Sequence, residues 1–298
     1  MEYTKQPITP AEQLDILKKR GLVVENEEEA LSVLNHISYF RLACYWRVME
    51  EDSHIHHFRA GSRFSTILSL YNFDSELRLL VFKALQRIEI ASRTKINQHF
   101  AMTYGSFWFM NLSLAANEYR YNKNQESLRM ELSRCRDEFI TEHFRKYDSP
   151  EFPPSWKTLE VASFGTLSKL YNNMNDFNVM KRVARDFDMP QHEYLRSWLE
   201  SLTIVRNHCT HHARLWNTHF AVRPKITPRM RQKWITNFDF PLDRLYPQLC
   251  CITYWLNSIH PKNTFVADFK ALLAKYPCVP TSMMGFPDGW QNESLWKV

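Results

Sequence analysis

Residues Phe64–Tyr104 read FSTILSLYNFDSELRLLVFKALQRIEIASRTKINQHFAMTY, a stretch that contains neither glycine nor proline. Those two residue types disfavour a helix interior more than any others. Apolar side chains recur in it at steps of three and four, at Leu77, Leu80, Ala84, Ile88 and Ala91. Because that spacing places them on one face of a helix, the stretch predicts one very long helix, or two joined near residues 72–75, with this face in the core.

Helix signals extend along the rest of the chain. Thr9, Pro10 and Glu12 combine an N-cap, a first-turn proline and a capping-box glutamate, and Asn26 precedes three glutamates that favour a helix N-terminus. Further helices are expected at about 124–147, 157–175, 178–187, 190–216, 242–259 and 264–276. The chain has only six glycines and no glycine-rich phosphate-binding loop, which argues against Rossmann and P-loop enzymes. We therefore expect an all-α fold.

The segments between these helices also carry expectations. Residues 37–49 are rich in aromatic side chains and predict a buried packing seam. His54, His56 and His57 lie in a short polar link or hairpin. The proline-rich residues 149–155 predict a loop inside one domain, and residues from Pro277 onward predict a loose tail. A single domain over residues 1–298 is expected.

Positive charge is concentrated in one part of the chain. The net charge is +6, and Ser201–Thr236 holds seven lysines and arginines, four histidines and no aspartate or glutamate. Such a stretch creates a local positive field that suits a polyanion. The alternative is a solvated basic face whose acidic partners lie elsewhere in the fold.

The spacing of the cysteines and the lengths of the apolar runs indicate the cellular compartment. Six cysteines show no CxxC spacing, which favours a reduced intracellular protein. The polar N-terminus does not resemble a signal peptide, and no uncharged apolar run approaches the length of a membrane span. A cytoplasmic protein without a membrane partner is expected.

The most informative short stretch is Arg206–Asn217, RNHCTHHARLWN. It holds two arginines, three histidines and two asparagines, a set that is costly to bury unless its members are paired. The same side chains can bind a phosphodiester and move protons around it.

Helical periodicity assigns faces to this stretch. A core-facing row is formed by Leu195, Trp198, Leu202, Val205 and Cys209. Asn207, His211 and Arg214 fall on the opposite face, with Arg206 on its flank. His212 continues the core row and is expected to be buried. His208 lies four residues before it, a spacing that suits zinc, but no HExxH glutamate or third ligand accompanies the pair, so no metal site is expected.

The spacing of Arg206 and His211, with Asn207 after the arginine, resembles the motif of HEPN ribonucleases, and the longer string RN…HHARLWN resembles abortive-infection proteins of the AbiD/AbiF type, the Abi-like family. Pro154–Tyr171, PSWKTLEVASFGTLSKLY, is similar to that family's Trp…Glu…Ser-Phe-Gly-x-Leu-Ser block. Tyr39–Trp46, YFRLACYW, is a looser match, with Ala43-Cys44 in place of a Ser-Gly pair. Ile88–Arg93 resembles another family segment. The resemblance covers roughly residues 11–260.

The resemblance implies a HEPN-like helical bundle elaborated with extra helices, and a homodimer in which two Arg…His motifs meet. It also implies anti-phage abortive infection through a metal-independent endoribonuclease without a cofactor. The 2′-OH of RNA attacks the adjacent phosphorus and leaves a 2′,3′-cyclic phosphate. The catalytic residues are then Arg206, Asn207 and His211, with His211 from two protomers as base and acid.

The remaining candidates concern RNA binding. The expected RNA contacts are Arg214, His208, Arg223, Lys225, Arg229, Arg231 and Lys233. Trp216, Phe220 and Trp234 are candidate stacking platforms for bases. Arg214 has a structural salt bridge as its alternative role, and a second Arg…His pair, Arg93 and His99, is interpreted as structural or RNA-contacting. A second hypothesis is a non-catalytic binder of a structured small RNA, and a third is a helical scaffold acting by protein contact.

Overall fold

A computed structural model of the protein describes residues 2, 4, 6–52 and 54–297. Over these ranges the chain forms twelve α-helices and one two-stranded sheet, so the predicted all-α fold is confirmed. The helices are α1 Pro10–Lys19, α2 Glu27–His36, α3 Tyr39–Trp46, α4 Phe64–Tyr104, α5 Glu118–Arg134, α6 Glu138–Lys146, α7 Ser155–Val161, α8 Phe164–Asn172, α9 Phe177–Asp186, α10 His192–Thr210, α11 Leu245–Ile259 and α12 Phe265–Lys275. None of the helices in the described ranges combines the length and the apolar character needed to cross a bilayer.

The chain, for which the sequence favoured a single domain, groups into two compact units. The first unit comprises the chain up to Leu77 together with Phe269–Pro280. Its core includes Leu17, Trp46 and Phe73, all at most 2% exposed. The second unit comprises Arg78–Asp268 and the chain from Thr281 onward.

Several N-terminal predictions are confirmed. The capping box of Thr9 and Glu12 is present at α1, and the Asn26 side chain caps α2. Glu50–Asp52 (β1) and His57–Phe58 (β2) pair antiparallel, so the histidine-rich link is a hairpin. The Phe64–Tyr104 stretch forms the single helix α4 without a joint at residues 72–75.

Two of the predicted helices are each divided in the structure. The predicted helix at 124–147 is α5 and α6, with a break after Cys135, whose ψ of 136° is extended. The predicted helix at 157–175 is α7 and α8, because Ala162 is extended and the Ser163 hydroxyl caps the next helix by accepting from Thr166 N–H. Neither break contains glycine or proline, so the residue types that usually mark a helix end were absent.

Helix α10 lies at the centre of the second unit and packs against α8, α9 and α11. Its Trp198 is fully buried, stacks on Trp234 with ring centroids 5.9 Å apart, and contacts Tyr254 edge to face. Aromatic pairs of this kind add stability beyond the area they bury. The helix that carries Arg206 and Asn207 is therefore anchored by aromatic packing.

The chain after Pro277 does not form the loose tail that the sequence predicted. Trp290, Leu295 and Trp296 are at most 4% exposed. The Glu293 carboxylate accepts hydrogen bonds from the N–H groups of Thr236 and Asn237, at 2.7 and 2.8 Å. Burial of two tryptophans and a satisfied carboxylate fixes this segment, although it lacks regular helix periodicity.

Candidate functional site

The predicted core row of α10 is confirmed. Leu195, Trp198, Leu202 and Val205 are fully buried and Cys209 is 7% exposed. This row fixes the rotation of the helix, because side chains three and four residues apart share a face. Asn207 is therefore directed away from the core, and it is half-buried while His211 is exposed.

The helix ends at Thr210 and not near residue 216 as predicted. His212 adopts the left-handed conformation with φ of 55°, and its N–H bonds to the Cys209 carbonyl while the Ala213 N–H bonds to the His208 carbonyl at 2.8 Å. This pair of hydrogen bonds is the Schellman helix ending. His212 is exposed, so the prediction that it continues the buried row is wrong, since the helical periodicity stops before it.

His208 and Arg214 form hydrogen bonds with backbone carbonyls of the turn that follows α10. The Nδ1 of His208 lies 3.1 Å from the Arg214 carbonyl oxygen, and the Arg214 guanidinium donates to the Asn217 carbonyl at 3.1 Å. Arg214 is therefore not on a helical face with Asn207 and His211, as the sequence had predicted. His208 and His212 do not share a helical face either, which removes the spacing argument for zinc.

Arg206 lies in a cluster of charges that the sequence did not show. Its Nε is 3.5 Å from a carboxylate oxygen of Glu89 on α4, and the other Glu89 oxygen accepts from Arg93 at 3.1 Å. Glu89 and Arg93 are 13% and 11% exposed and Arg206 is 27% exposed. One carboxylate thus faces two guanidiniums in a poorly solvated setting. It accepts a hydrogen bond from Arg93 and forms an ion pair with Arg206, whose Nε makes no hydrogen bond.

The same cluster joins three of the sequence blocks noted above. Arg93 donates to the Ala162 carbonyl at 2.9 Å and lies 3.9 Å from a carboxylate oxygen of Glu160. Glu89 and Arg93 belong to the block at 88–93, and Glu160 and Ala162 to the block at 154–171. These blocks are distant in sequence and converge beside Arg206. In the sequence, Glu89 is marked by the resemblance of the 88–93 block to the family. No local sequence pattern indicates that Glu89 pairs with Arg206.

Asn207 and His211 complete the arrangement at the end of α10. The Asn207 amide oxygen lies 3.5 Å from a terminal nitrogen of Arg206, and the His211 N–H still bonds to the Asn207 carbonyl at 2.9 Å. The His211 imidazole makes no hydrogen bond or ion pair with any residue that the structure describes. The exposed imidazole of His211 can exchange protons with a ligand, and a guanidinium such as that of Arg206 can bind a phosphate.

The second Arg…His pair does not converge into a site. Arg93 contacts Glu89 and Ala162, whereas the Nε2 of His99 lies 3.0 Å from Asp186. Burial raises the pKa of Asp186, but hydrogen bonds from Lys95 and His99 outweigh that effect, so its pKa lies below the ordinary value. Both members of the pair therefore have structural partners.

The basic segment after the helix is irregular, as predicted, and its cations are exposed. These are Arg223, Lys225, Arg229, Arg231 and Lys233. The stacking prediction is wrong, because Trp216, Phe220 and Trp234 are 0%, 2% and 5% exposed. They pack in the core and leave no ring face for a base.

No group of three or more histidine, cysteine, aspartate or glutamate side chains placed to hold a metal ion occurs among the described residues. All six cysteines are free. The side chains of Arg206, Asn207, His208 and His211 at the end of α10 are nitrogen-rich, and Glu89 on α4 forms an ion pair with Arg206. Guanidinium and imidazole groups of this kind can bind a phosphate and transfer protons.

Comparison with known proteins gives one match. The family model described as Abi-like protein matches residues 32–217. That range contains Glu89, Arg93, Glu160 and the stretch from Arg206 to Asn217. Searches of curated proteins and of solved structures found no match.

Proposed function

The chain belongs to the Abi-like protein family, and on that premise we propose that it acts in abortive infection as a metal-independent endoribonuclease. The observation that carries the proposal is an exposed His211 five residues after an Arg206 that forms an ion pair with Glu89. A guanidinium that binds phosphate and an imidazole that transfers protons are groups that phosphodiester cleavage uses.

The mechanism follows from the chemistry of RNA. The 2′-oxygen attacks phosphorus, the bond from phosphorus to the 5′-oxygen breaks, and a 2′,3′-cyclic phosphate remains. A base takes the 2′ proton and an acid protonates the leaving 5′-oxygen. The guanidinium of Arg206 stabilises the charge on the pentacoordinate phosphorus, and Asn207 donates to a phosphate oxygen or orients the imidazole.

One imidazole does not supply both proton transfers at once. We therefore include a second copy of the chain in the proposal, with its motif facing the first, so that His211 acts as base in one copy and as acid in the other. The exposure of His211 at the tip of α10 is compatible with such a contact.

The direct test is incubation of the purified full chain with labelled single-stranded RNA in excess chelator. Wild type should cleave and leave cyclic phosphate ends, whereas His211→Ala should lose about 10²–10⁴-fold in rate. His212→Asn is the matched control, because asparagine tolerates the left-handed backbone at the neighbouring exposed histidine. A substrate with 2′-deoxyribose at the cleaved position should remain intact. Equal cleavage by wild type and His211→Ala, or cleavage of DNA at a similar rate, would contradict the mechanism.

A second candidate function is RNA binding without turnover. It is favoured by the five exposed cations between Arg223 and Lys233, which form a positive surface whatever the role of His211. The two functions separate in one experiment. A catalytic His211 predicts that His211→Ala abolishes cleavage with little change in RNA affinity, whereas a binding protein predicts no cleavage by wild type and tight binding.

A further inference from the structure

A groove of about 1020 Å³ lies in the second unit beside α10. It is formed by α5, α8, α10 and the segment 222–225, and α8 packs against both other helices. The volume is at the upper end of the range for ligand sites.

Cations are in excess in this groove. It is lined by Arg120, Lys123, Lys169, Arg196, Arg223 and Lys225, against Glu126, Glu193 and Glu200. One of the glutamates already has a cationic partner, because Glu126 lies 2.9 Å from Lys123. Within the described part of the chain, Arg120, Lys169 and Lys225 form no ion pair. These positions are available to an anionic ligand.

Two amides in the groove carry unused hydrogen-bonding groups. Asn124 is 3% exposed and its Nδ2 has no partner, and the Oδ1 of Asn172 is buried without a partner. Buried polar groups are normally satisfied, so an exception needs an explanation. An amide donor and an amide acceptor are groups that can hydrogen-bond a nucleobase edge, which presents both.

The groove leads toward the candidate catalytic residues. Glu193, Ser197, Glu200 and Ile204 line it at steps of three and four along α10, and Asn207 and His211 continue that series in sequence. Side chains with this spacing lie on one face. The rise from Ile204 to His211 is about 10 Å, which roughly three stacked nucleotides span.

We propose that this groove binds a single-stranded segment of the RNA whose scissile phosphate lies at Arg206 and His211, with phosphates on Arg120 and Lys169 and a base edge on Asn124. The part of this proposal in which the strand continues to His211 rests on the proposed function. Binding of RNA in the groove does not depend on it. An extended strand fits better than a compact ligand, because the cations are distributed over α5, α8, α10 and the segment 222–225.

The test uses two substrates on the full chain. The first is a labelled 12-nucleotide single-stranded RNA, and the second is a dinucleoside monophosphate that reaches only the end of α10. Arg120→Ala with Lys169→Ala should raise KM for the long RNA several-fold and should raise KM for the dinucleoside monophosphate much less. Arg134→Ala is the matched control, since Arg134 is an exposed arginine on the same helix outside the groove.

Binding is measured separately, by anisotropy in the His211→Ala background, so that the groove is tested even if the chain does not cleave RNA. Loss of two phosphate contacts should reduce the slope of log affinity against log salt by about 1.4. Asn124→Leu removes a buried, unused donor, so it should weaken binding without lowering the melting temperature.

Three outcomes would overturn the assignment. In the first, Arg120→Ala with Lys169→Ala binds RNA as tightly as Arg134→Ala does. In the second, Asn124→Leu retains wild-type affinity. In the third, a nucleoside monophosphate displaces the RNA at equal molar concentration, which would indicate a site for a small nucleotide. Absence of dinucleotide cleavage by wild type would contradict the nuclease mechanism alone.

Discussion

The carboxylate of Glu89 lies 3.5 Å from the Nε of Arg206 and, through its other oxygen, accepts a hydrogen bond from Arg93. Glu89→Gln keeps the size of the side chain and leaves two half-buried guanidiniums without their counter-charge. We expect the free energy of unfolding to fall by about 1–3 kcal/mol, measured by urea denaturation. Glu160→Gln is the control, because Glu160 is 59% exposed and should cost less than about 0.5 kcal/mol. Equal losses for the two variants would show that the cluster does not stabilise the fold.

Arg206→Lys separates charge from geometry. The ammonium of lysine retains an attraction to Glu89 but has no planar fork for a phosphate. If Arg206 stabilises the transition state, kcat for RNA should fall about 10²–10³-fold, while the melting temperature changes little. Steady-state kinetics and thermal melting of the same variant distinguish a loss of catalysis from a loss of stability. A fall in melting temperature with an unchanged kcat would indicate a purely structural arginine.

His212 is a non-glycine residue at φ of 55° in the Schellman ending of α10. Glycine adopts this conformation without strain, whereas alanine does not. His212→Gly should therefore be more stable than His212→Ala by about 1–2 kcal/mol, which chemical denaturation measures. The comparison of these two variants cancels the loss of the imidazole itself. Equal stability would mean that the chain relaxes out of the left-handed conformation.

His143 on α6 gives the protein a pH dependence of stability. Burial, and secondly the positive charge of Lys157, lower the pKa of His143. The folded protein binds this proton less readily than the unfolded chain does. The stability that the neutral His143 contributes is therefore fully present above about pH 6.5, and it is lost as the pH falls through the pKa of the folded state. His143→Phe should lose less stability than wild type between pH 7.5 and 5.5. The same loss in both proteins would contradict the assignment.

Trp296 tests whether the C-terminal segment belongs to the core. It is fully buried, so Trp296→Ala should reduce the free energy of unfolding by about 3–5 kcal/mol. Lys297→Ala, at the exposed next position, should lie within about 0.5 kcal/mol of wild type. A small effect of both substitutions would return the segment to the loose tail that its sequence suggests.

The sequence by itself determined the all-α fold, the capping of α1 and α2, the long helix α4 and the buried row of α10. Each of these depends on local rules of periodicity, capping chemistry and the absence of glycine and proline. It also marked Arg206, Asn207 and His211 as candidates, since their residue types and spacing are visible without coordinates.

Tertiary structure decided which charges meet and where the helix ends. Glu89 and Arg206 are on helices distant in sequence, and pairing between such positions has no local pattern. The left-handed His212 ends α10 without the glycine that usually marks this conformation. Extending the helical periodicity beyond Thr210 therefore predicted wrong positions for His212 and Arg214. Because they lie in or next to the basic segment, the sequence predicts Trp216, Phe220 and Trp234 at an RNA-binding surface. Packing placed them in the core, because burying large apolar rings stabilises the fold more than exposing them.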